Sequence, residues 1–302
     1  MKSKVKDKHI VHDDLEQSPI NWYPGHMAKA IREIGEKLNL VDIVLEVRDA
    51  RVPTVSGNKT LDETLRQKSR LILLNKVNLA DPSKIQQWEE WFKTSGLNYM
   101  FIDCFDKGTM KKVMNLARKI VDQKRRQSNP NQKEFSKKIK LMVLGLPNTG
   151  KSTIINSLSG HNAVKTADKP GHTQSQQWIM VEGGFDLLDT PGVMPPKLAK
   201  DEHGLWLSAI NAIPDDVVGE ELPAKFLVGF FKDANSKIFK ERYKLESLDL
   251  SVEEIIEKIA ILRGCLRQGG LPDHERVYKL ILLDFRKGDL GKCCFELPPS
   301  LL

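Results

Sequence analysis

The sequence predicts an α/β fold, in which a domain built on a mostly parallel sheet is followed by a small all-helical C-terminal domain. Apolar runs typical of buried strands alternate with amphipathic helical patterns up to about residue 190, as they do in parallel sheets that helices cover on both faces. After Pro195-Pro196 the strand-like runs stop and only helical periodicity continues. A chain of 302 residues is long enough for two such domains.

The predicted elements of the first domain follow one another in a regular order. The expected strands are Val41–Val47, Leu71–Leu74, Tyr99–Ile102, Ile139–Leu144 and Phe185–Leu188. The expected helices are Ala28–Leu38, Ser83–Ser95 and Met110–Gln123. The segment Asn129-Pro130-Asn131-Gln132 interrupts the alternation and is typical of a linker.

Three helical patterns make up the C-terminal region. They cover Phe226–Lys240, Ser251–Arg267 and Asp273–Phe285. Ser251 and Glu254 have the spacing of a capping box, and Gly288 is a suitable helix stop. We therefore expect a flexible tail at residues 1–20, a first domain at 21–215 with a basic linker at about 123–140, and a helical domain at 220–302.

Composition argues against membrane, secreted and disulfide-stabilised proteins. Every apolar run is shorter than the roughly 18 residues that a membrane span requires. The four cysteines form no C-x-x-C pair, so neither a zinc site nor a disulfide framework is predicted. Residues 1–18 mix lysines with acidic residues and have no apolar core, which fits no secretory signal. We therefore expect a cytoplasmic protein with reduced thiols and no membrane partner.

Positive charge is concentrated between Lys107 and Lys140. This stretch has twelve Lys and Arg residues against Asp122 and Glu134, whereas the whole chain has a net charge of +7. Such a cluster favours binding to a polyanion through phosphate neutralisation and counterion release. A solvated helix face followed by a linker explains the same charges, and charge alone does not separate the two interpretations.

The loop Gly145-Leu146-Pro147-Asn148-Thr149-Gly150-Lys151-Ser152 has the spacing of a Walker A phosphate loop. It follows a predicted strand and opens a predicted helix, which is the context that this motif requires. Its glycines let backbone N–H groups surround phosphates, Lys151 reaches the β- and γ-phosphates, and Ser152 is a candidate Mg²⁺ ligand. The predicted nucleotide-binding residues here are Pro147, Asn148, Thr149, Gly150, Lys151, Ser152 and Thr153.

Two later motifs are predicted to complete the metal and γ-phosphate site. Asp189-Thr190-Pro191-Gly192 follows a predicted strand 38 residues after Lys151, a spacing that suits the metal-side Asp of a P-loop NTPase. We expect Asp189 to bind Mg²⁺ and the Gly192 N–H to contact the γ-phosphate. Thr173 is expected to contact both the Mg²⁺ ion and the γ-phosphate. Val193 follows and cannot hydrogen-bond a water, so hydrolysis needs a polar group from elsewhere.

A base-reading motif, Asn75-Lys76-Val77-Asn78, precedes the phosphate loop by about seventy residues, whereas the Asn-Lys-x-Asp motif of an ordinary GTPase follows it. A carboxylate at the last position accepts two hydrogen bonds from guanine. Asn78 has one acceptor and places an NH₂ group against a donor, at a cost of about 1–3 kcal/mol. Asp103 and Cys104 form a candidate second base-side loop. A weakened guanine site, a site with shifted base preference and an unrelated loop remain open.

Together these motifs resemble the YlqF/RbgA-type circularly permuted GTPases of ribosome assembly. Asn21–Ala30 is similar to the opening motif of that family, and Asp49-Ala50-Arg51-Val52-Pro53 matches its D-A-R-x-P motif. The phosphate loop, the Pro-Gly-x-Thr switch and the Asp-Thr-Pro-Gly motif follow in the family's permuted order. The C-terminal residues that resemble its helical domain are Gly269, Gly270, Asp273, Arg276, Asp284, Phe285, Arg286, Gly288 and Gly291.

The resemblance implies a circularly permuted P-loop GTPase domain that binds GTP or GDP with Mg²⁺ and K⁺. It implies GTP hydrolysis during assembly of the large ribosomal subunit by a protein that is monomeric off the ribosome and that contacts ribosomal RNA through its linker and helical domain. It further implies that Asn148 helps to bind K⁺.

His26 takes its role from the resemblance alone. In the family scheme it would position the attacking water that Val193 cannot hold, so that His26, Lys151, Thr173 and Gly192 form the catalytic set. If the resemblance is set aside, the sequence shows His26 only as a residue that follows a Pro-Gly turn. The alternative from another class is a non-catalytic RNA-binding scaffold with a degenerate nucleotide site, suggested by Asn78 and Val193.

Overall fold

The computed structural model describes residues 32–58, 62, 64–129, 138–159, 178–181, 183–188 and 201–299, so the predicted tail at 1–20 lies outside the described residues. The chain divides into two compact units. We call the described residues within Tyr23–Lys197, Ile210–Pro214 and Gly291–Leu302 the sheet unit, and those within Leu198–Ala209 and Asp215–Leu290 the helical unit. This division differs from the predicted bounds at 215 and 220, because residues 201–209 belong to the helical unit and residues 291–299 belong to the sheet unit.

The described part of the sheet unit contains one six-stranded sheet. Its strands are β1 (Ile43–Asp49), β2 (Ser69–Asn75), β3 (Tyr99–Phe101), β4 (Ile139–Gly145), β5 (Trp178–Val181) and β6 (Phe185–Leu188). Their order in space is β3-β2-β1-β4-β6-β5. Neighbouring strands are parallel except for β5 and β6, which are antiparallel. The predicted mostly parallel sheet is confirmed.

The central strands are buried over almost their whole length. All seven residues of β1 are buried. Strand β2 has one partly exposed residue, and β4 has one exposed residue. These strands are rich in Val, Ile and Leu, the composition expected where helices cover both faces of a parallel sheet. The sequence predicts these strands to within two residues at each end.

Three helices of the sheet unit follow strands. They are α1 (Pro82–Ser95), α2 (Lys107–Ser128) and α3 (Lys151–Ser159). The Asp81 side chain caps α1 by accepting a hydrogen bond from the Ser83 N–H, and Pro82 occupies the first turn, where its missing N–H costs nothing. Residues 32–37, within the predicted Ala28–Leu38, are also helical.

Helix α2 runs past the end that the sequence predicts. Asp106 caps its start, and the helix continues to Ser128, so the first residues of the predicted linker at 123–140 are helical. Two contacts hold its last turns: Lys124 Nζ donates to the Gln67 carbonyl at 2.8 Å, and Arg125 Nη2 lies 3.1 Å from Asp42 Oδ1. Residues 130–137 lie outside the described residues.

The helical unit consists of helices and their connections throughout its described residues. The helices are α4 (Asp201–Ala209), α5 (Asp215–Val218), α6 (Glu221–Asp233), α7 (Lys237–Tyr243), α8 (Val252–Leu262) and α9 (His274–Lys287). The predicted capping box of Ser251 and Glu254 is present at the start of α8, and Gly288 ends α9. In the part of the chain that the structure describes, no helix has the length and apolar character needed to cross a membrane.

The prediction of a single helix over Phe226–Lys240 was wrong. Asn235 adopts a left-handed conformation with φ of 46°, which asparagine tolerates better than most residues. Ser236 then starts α7, because its hydroxyl accepts a hydrogen bond from the Phe239 N–H at 3.2 Å. Hydrophobic periodicity continues across this break, so periodicity alone does not reveal it.

Two arginines of the helical unit form ion pairs inside that unit. Arg242 bonds both oxygens of the buried Asp284, at 2.9 and 2.6 Å. Arg286 bonds both oxygens of Asp215, at 2.7 and 2.6 Å, and also donates to the carbonyl of Ser208 at 2.9 Å. The C-terminal residues Asp284 and Arg286 therefore tie helices together, a structural role within the unit.

The C-terminal segment (residues 291–299) belongs to the sheet unit although the sequence predicts it within the helical domain. The Phe295 N–H donates to the Arg51 carbonyl at 3.0 Å, and Trp88 Nε1 donates to the Glu296 carbonyl at 3.1 Å. Burial raises the pKa of both Cys293 and Cys294 to about 12. Both cysteines therefore remain protonated thiols at neutral pH.

Substituting Asp284→Asn tests the ion pair with Arg242. Asp284 is 2% exposed, so losing its charge leaves the guanidinium with a weaker acceptor, and we expect the free energy of unfolding to fall by about 1–3 kcal/mol. Urea unfolding followed by circular dichroism measures it. As a control, Glu241→Gln removes the exposed pair with Lys237 and is expected to leave the midpoint unchanged. Equal unfolding midpoints for the parent, Asp284→Asn and Glu241→Gln would contradict a stabilising ion pair between Asp284 and Arg242.

Candidate functional site

The carboxyl ends of four parallel strands meet at one edge of the sheet. In the strand register Asp49 lies beside Asn75, Val47 beside Gly145, and Leu74 beside Phe101. Open α/β sheets bind ligands at this edge. The predicted phosphate loop, which follows β4, and the predicted base-reading motif, which ends β2, are therefore neighbours in space.

The phosphate loop depends on two glycines with left-handed backbones. Gly145 has φ of 154° and Gly150 has φ of 102°. A side-chain carbon at residue 145 would collide with the Val47 carbonyl, and one at residue 150 would collide with the Asn75 amide nitrogen. Only glycine lets the loop approach β1 and the base-reading motif this closely.

Lys151 is held at the phosphate loop at the start of α3. Its Nζ donates to the Leu146 carbonyl at 2.8 Å, and the hydroxyl of the buried Thr149 donates to the same carbonyl at 2.9 Å. Ser152 and Thr153 follow in the first turn of α3 and are partly exposed, whereas Pro147 is buried. A helix N-terminus and a lysine amine at one loop form a suitable site for an anion.

Asn75 connects three loops through one side chain. It is 1% exposed, its Nδ2 donates to the Thr149 carbonyl at 2.9 Å, and its Oδ1 accepts from the Cys104 N–H at 3.1 Å. The phosphate loop, the base-reading motif and the predicted second base-side loop are therefore brought together, as the interpretation of residues 75, 103 and 104 requires.

Lys76 lies across the phosphate loop. Its backbone has φ of 62°, and its Nζ donates to the Asn148 carbonyl at 2.7 Å while lying 3.2 Å from Asp49 Oδ2. Burial lowers the pKa of Lys76, and Asp49 opposes that shift. For Asp49, burial alone would raise the pKa, but Arg51 and Lys76 outweigh it and hold the pKa well below its ordinary range. The two groups therefore form a charged pair.

The remaining predicted base-side residues line the same edge. Asn78 lies in the short 3₁₀ helix Val77–Leu79 and is exposed. Asp103 is partly exposed and accepts a hydrogen bond from the Phe105 N–H at 3.0 Å. Cys104 is buried, and burial raises the pKa of its thiol. Asn78 and Asp103 are thus the more accessible polar side chains of this group.

Four predicted site residues, His26, Thr173, Asp189 and Gly192, lie outside the described residues. Asn148, the predicted K⁺ ligand, has φ of 55° and donates through Nδ2 to the Asn211 carbonyl at 2.9 Å. Sequence reasoning did not identify Asn211 as a neighbour of the phosphate loop, since no motif marks it. It did single out the D-A-R-V-P motif, without a role.

Comparison with known proteins identifies relatives along most of the chain. The family described as “50S ribosome-binding GTPase” matches residues 140–260. That match begins at β4 and leaves out residues 75–78, as a permuted motif order requires. The chain is 37% identical over 279 residues to “Ribosome biogenesis GTPase A” of Priestia megaterium (strain DSM 319 / IMG 1521), covering 92% of this chain and 97% of the relative.

Two solved structures resemble this chain over most of its length. GNP-bound YlqF from T. maritima superposes with a TM-score of 0.64 at 30% identity and covers 90% of this chain and 100% of that one. A GDP-bound structure of TM YlqF gives a TM-score of 0.62, also at 30% identity, and covers 88% of this chain and 99% of the other.

Substituting Gly150→Ala tests the phosphate loop. The added methyl group would displace the Asn75 amide and strain a left-handed backbone, so we expect nucleotide affinity to fall by about 100-fold or more. Equilibrium titration with a fluorescent nucleotide measures it. Gly35→Ala is the control, because its added carbon would lie 3.9 Å from Thr64, an ordinary contact, and should leave affinity unchanged. An equal effect of both substitutions would contradict the assigned loop geometry.

Proposed function

Because this chain belongs to the ribosome biogenesis GTPase A (YlqF/RbgA) family, we propose that it hydrolyses GTP to GDP and phosphate as an assembly factor of the large ribosomal subunit. The family membership bears out the resemblance drawn from the motifs and the circularly permuted P-loop GTPase fold. The observation that carries the proposal is the pair of hydrogen bonds from Asn75 and Lys76 to the phosphate loop. They join base-reading and phosphate-binding groups into one nucleotide site.

The described residues of the loop fit a guanosine nucleotide with its metal ion. Lys151 Nζ, 2.8 Å from the Leu146 carbonyl, is positioned to neutralise phosphate oxygens. Ser152, in the first turn of α3, would supply a hydroxyl ligand to Mg²⁺, which neutralises the charge that develops on the phosphates. The Asn148 side-chain nitrogen Nδ2 donates to the Asn211 carbonyl, so the side-chain oxygen Oδ1 of Asn148 would be the K⁺ ligand.

The remaining groups of the proposed catalytic set belong to segments outside the described residues. We propose that Asp189 and Thr173 complete the Mg²⁺ site, that the Gly192 N–H contacts the γ-phosphate, and that His26 orients the attacking water. His26 is needed in this scheme because Val193 has no polar side chain. Lys151 stabilises negative charge on the transferred phosphoryl group.

Hydrolysis in the presence of ribosomal subunits tests the proposal. We expect multiple-turnover release of phosphate from GTP, faster in K⁺ than in Na⁺ and faster with large ribosomal subunits. Lys151→Ala, which removes the phosphate-loop amine, is expected to abolish turnover. If the unsubstituted chain binds the subunit and shows no turnover above the Lys151→Ala background, it acts as the non-catalytic scaffold.

Asn78 determines how strongly this site selects guanine. Asp at position 78 would accept both guanine hydrogen bonds, so Asn78→Asp should raise GDP affinity by about tenfold to several hundredfold. The same change should weaken XDP binding, because the Asn78 amide suits the N–H and carbonyl pattern of xanthine. Calorimetric titration with GDP, XDP and ADP measures these affinities, with Asn115→Asp on α2 as an exposed control. An unchanged GDP affinity would show that Asn78 does not contact the base.

We further propose that α2 contacts ribosomal RNA. Lys112, Lys119 and Arg126 are exposed and follow one another at intervals of seven residues, which places them on one face of the helix. Such a row of cations can follow a phosphate backbone. The alternative is a solvated helix face without a partner.

The salt dependence of subunit binding distinguishes these alternatives. Reversing Lys119 and Arg126 to Glu should weaken binding and reduce the slope of log affinity against log salt by about 1.5 or more. The control reverses Arg32 and Lys93, two exposed cations on other helices of the sheet unit, and should leave the slope near that of the parent. The same slope in both variants would exclude α2 from the RNA contact.

A further inference from the structure

The D-A-R-V-P motif has no part in the catalytic scheme above. Asp49 ends β1 and Arg51 follows two residues later, and they are 0% and 1% exposed. Burying two charges is costly unless both are fully bonded. A buried pair at the ligand-binding edge of the sheet therefore needs an explanation beyond surface charge.

The carboxylate of Asp49 is shared between Arg51 and Lys76. Its Oδ1 accepts from the Arg51 backbone N–H at 3.0 Å and from Arg51 Nε at 2.9 Å. Its Oδ2 accepts from Arg51 Nη2 at 2.8 Å and lies 3.2 Å from Lys76 Nζ. The bidentate contact orients the carboxylate so that one oxygen faces the lysine of the base-reading motif.

Lys76 depends on two anchors for its position. Its side chain has four rotatable bonds, and holding such a chain in one conformation costs entropy. The Asn148 carbonyl binds the amine from the phosphate loop, and Asp49 binds it from β1. The Lys76 side chain is 25% exposed. Without the carboxylate, its amine would keep the neutral Asn148 carbonyl as acceptor and would lose the charge that compensates its partial burial.

The C-terminal segment hydrogen-bonds the loop that contains the D-A-R-V-P motif. The Arg51 carbonyl accepts from the Phe295 N–H at 3.0 Å and lies 3.2 Å from Cys294 Sγ. The Glu296 carboxylate accepts from the Thr54 N–H at 2.8 Å and the Val55 N–H at 3.2 Å, and also from the Thr54 hydroxyl. The C-terminal segment therefore holds the loop after β1 at Arg51 and again at Thr54 and Val55.

We propose that Asp49 is a positioning residue of the nucleotide site: oriented by Arg51, it holds Lys76 across the base and thereby determines how long the nucleotide stays bound. The proposal rests on the proposed guanosine nucleotide site. Asp49 acts on the base side through Lys76 and takes no part in phosphoryl transfer. The C-terminal segment supports it by holding the Arg51 loop.

Asp49→Asn separates this role from a general structural one. Its NH₂ group would face Arg51 or Lys76, so we expect GDP affinity to fall about 10- to 100-fold, with faster dissociation. The turnover number at saturating GTP should stay within about threefold, because the phosphate groups are untouched. Inhibition by inorganic triphosphate, a ligand without a base, should be the same as in the parent.

Glu46→Gln is the matched control. Glu46 lies on the same strand, is 4% exposed and bonds Arg48 at 2.7 Å. This substitution should lower the melting temperature, as Asp49→Asn also does, and leave GDP affinity unchanged. If Glu46→Gln weakens GDP as much as Asp49→Asn, or if triphosphate inhibition falls in parallel with GDP affinity, the effect is general and the proposal fails.

A double-mutant cycle tests whether Asp49 acts through Lys76. When Lys76→Ala is already present, Asp49→Asn should cause no further loss of GDP affinity; an additive loss would overturn the proposal.

A second variant serves if Asp49→Asn does not fold. Glu296→Gln loosens the same loop and is expected to speed GDP dissociation about threefold or more. An unchanged dissociation rate there would also overturn it. A parent chain that binds no guanosine nucleotide would instead refute the proposed function.

Discussion

The Asn75 side chain is the interaction on which the nucleotide site depends. One carboxamide bonds the Thr149 carbonyl and the Cys104 N–H, and so connects loops that are far apart in the chain. This contact requires close approach, which is why residue 150 has no side chain and a left-handed backbone. If this contact were lost, the phosphate loop would keep the Lys76 hydrogen bond to residue 148 but would lose its connection through Asn75 to the loop at Cys104.

The permuted chain order is compatible with this site because the sheet determines the geometry. Strand β4 carries the phosphate loop and lies in the middle of the sheet, between β1 and β6, although three strands precede it in sequence. Parallel strands place all their carboxyl ends at one edge, whatever their order along the chain. The hydrogen bonds of Asn75 and Lys76 to residues 149 and 148 therefore form across more than seventy residues.

Three buried carboxylates in the described part of the chain are each paired with an arginine. Asp49 pairs with Arg51 and Lys76, Glu46 with Arg48, and Asp284 with Arg242. The first of these groups lies at the base-reading motif, whereas the last holds the helical unit together. Similar chemistry therefore serves ligand positioning in one place and packing in another, and only the neighbouring residues tell them apart.

The sequence by itself determined five of the six described strands, the phosphate loop, the starts of α1, α3, α8 and α9, and the family. These are local features: runs of Val, Ile and Leu, glycines at defined spacing, and caps such as Ser251 with Glu254. Tertiary structure decided the helix break at Asn235 and Ser236, the extension of α2 to Ser128, and the return of residues 291–299 to the sheet unit. It also decided that Asp49 meets Lys76. These contacts are non-local, since they depend on which strands lie side by side, and no periodicity or motif spacing records that.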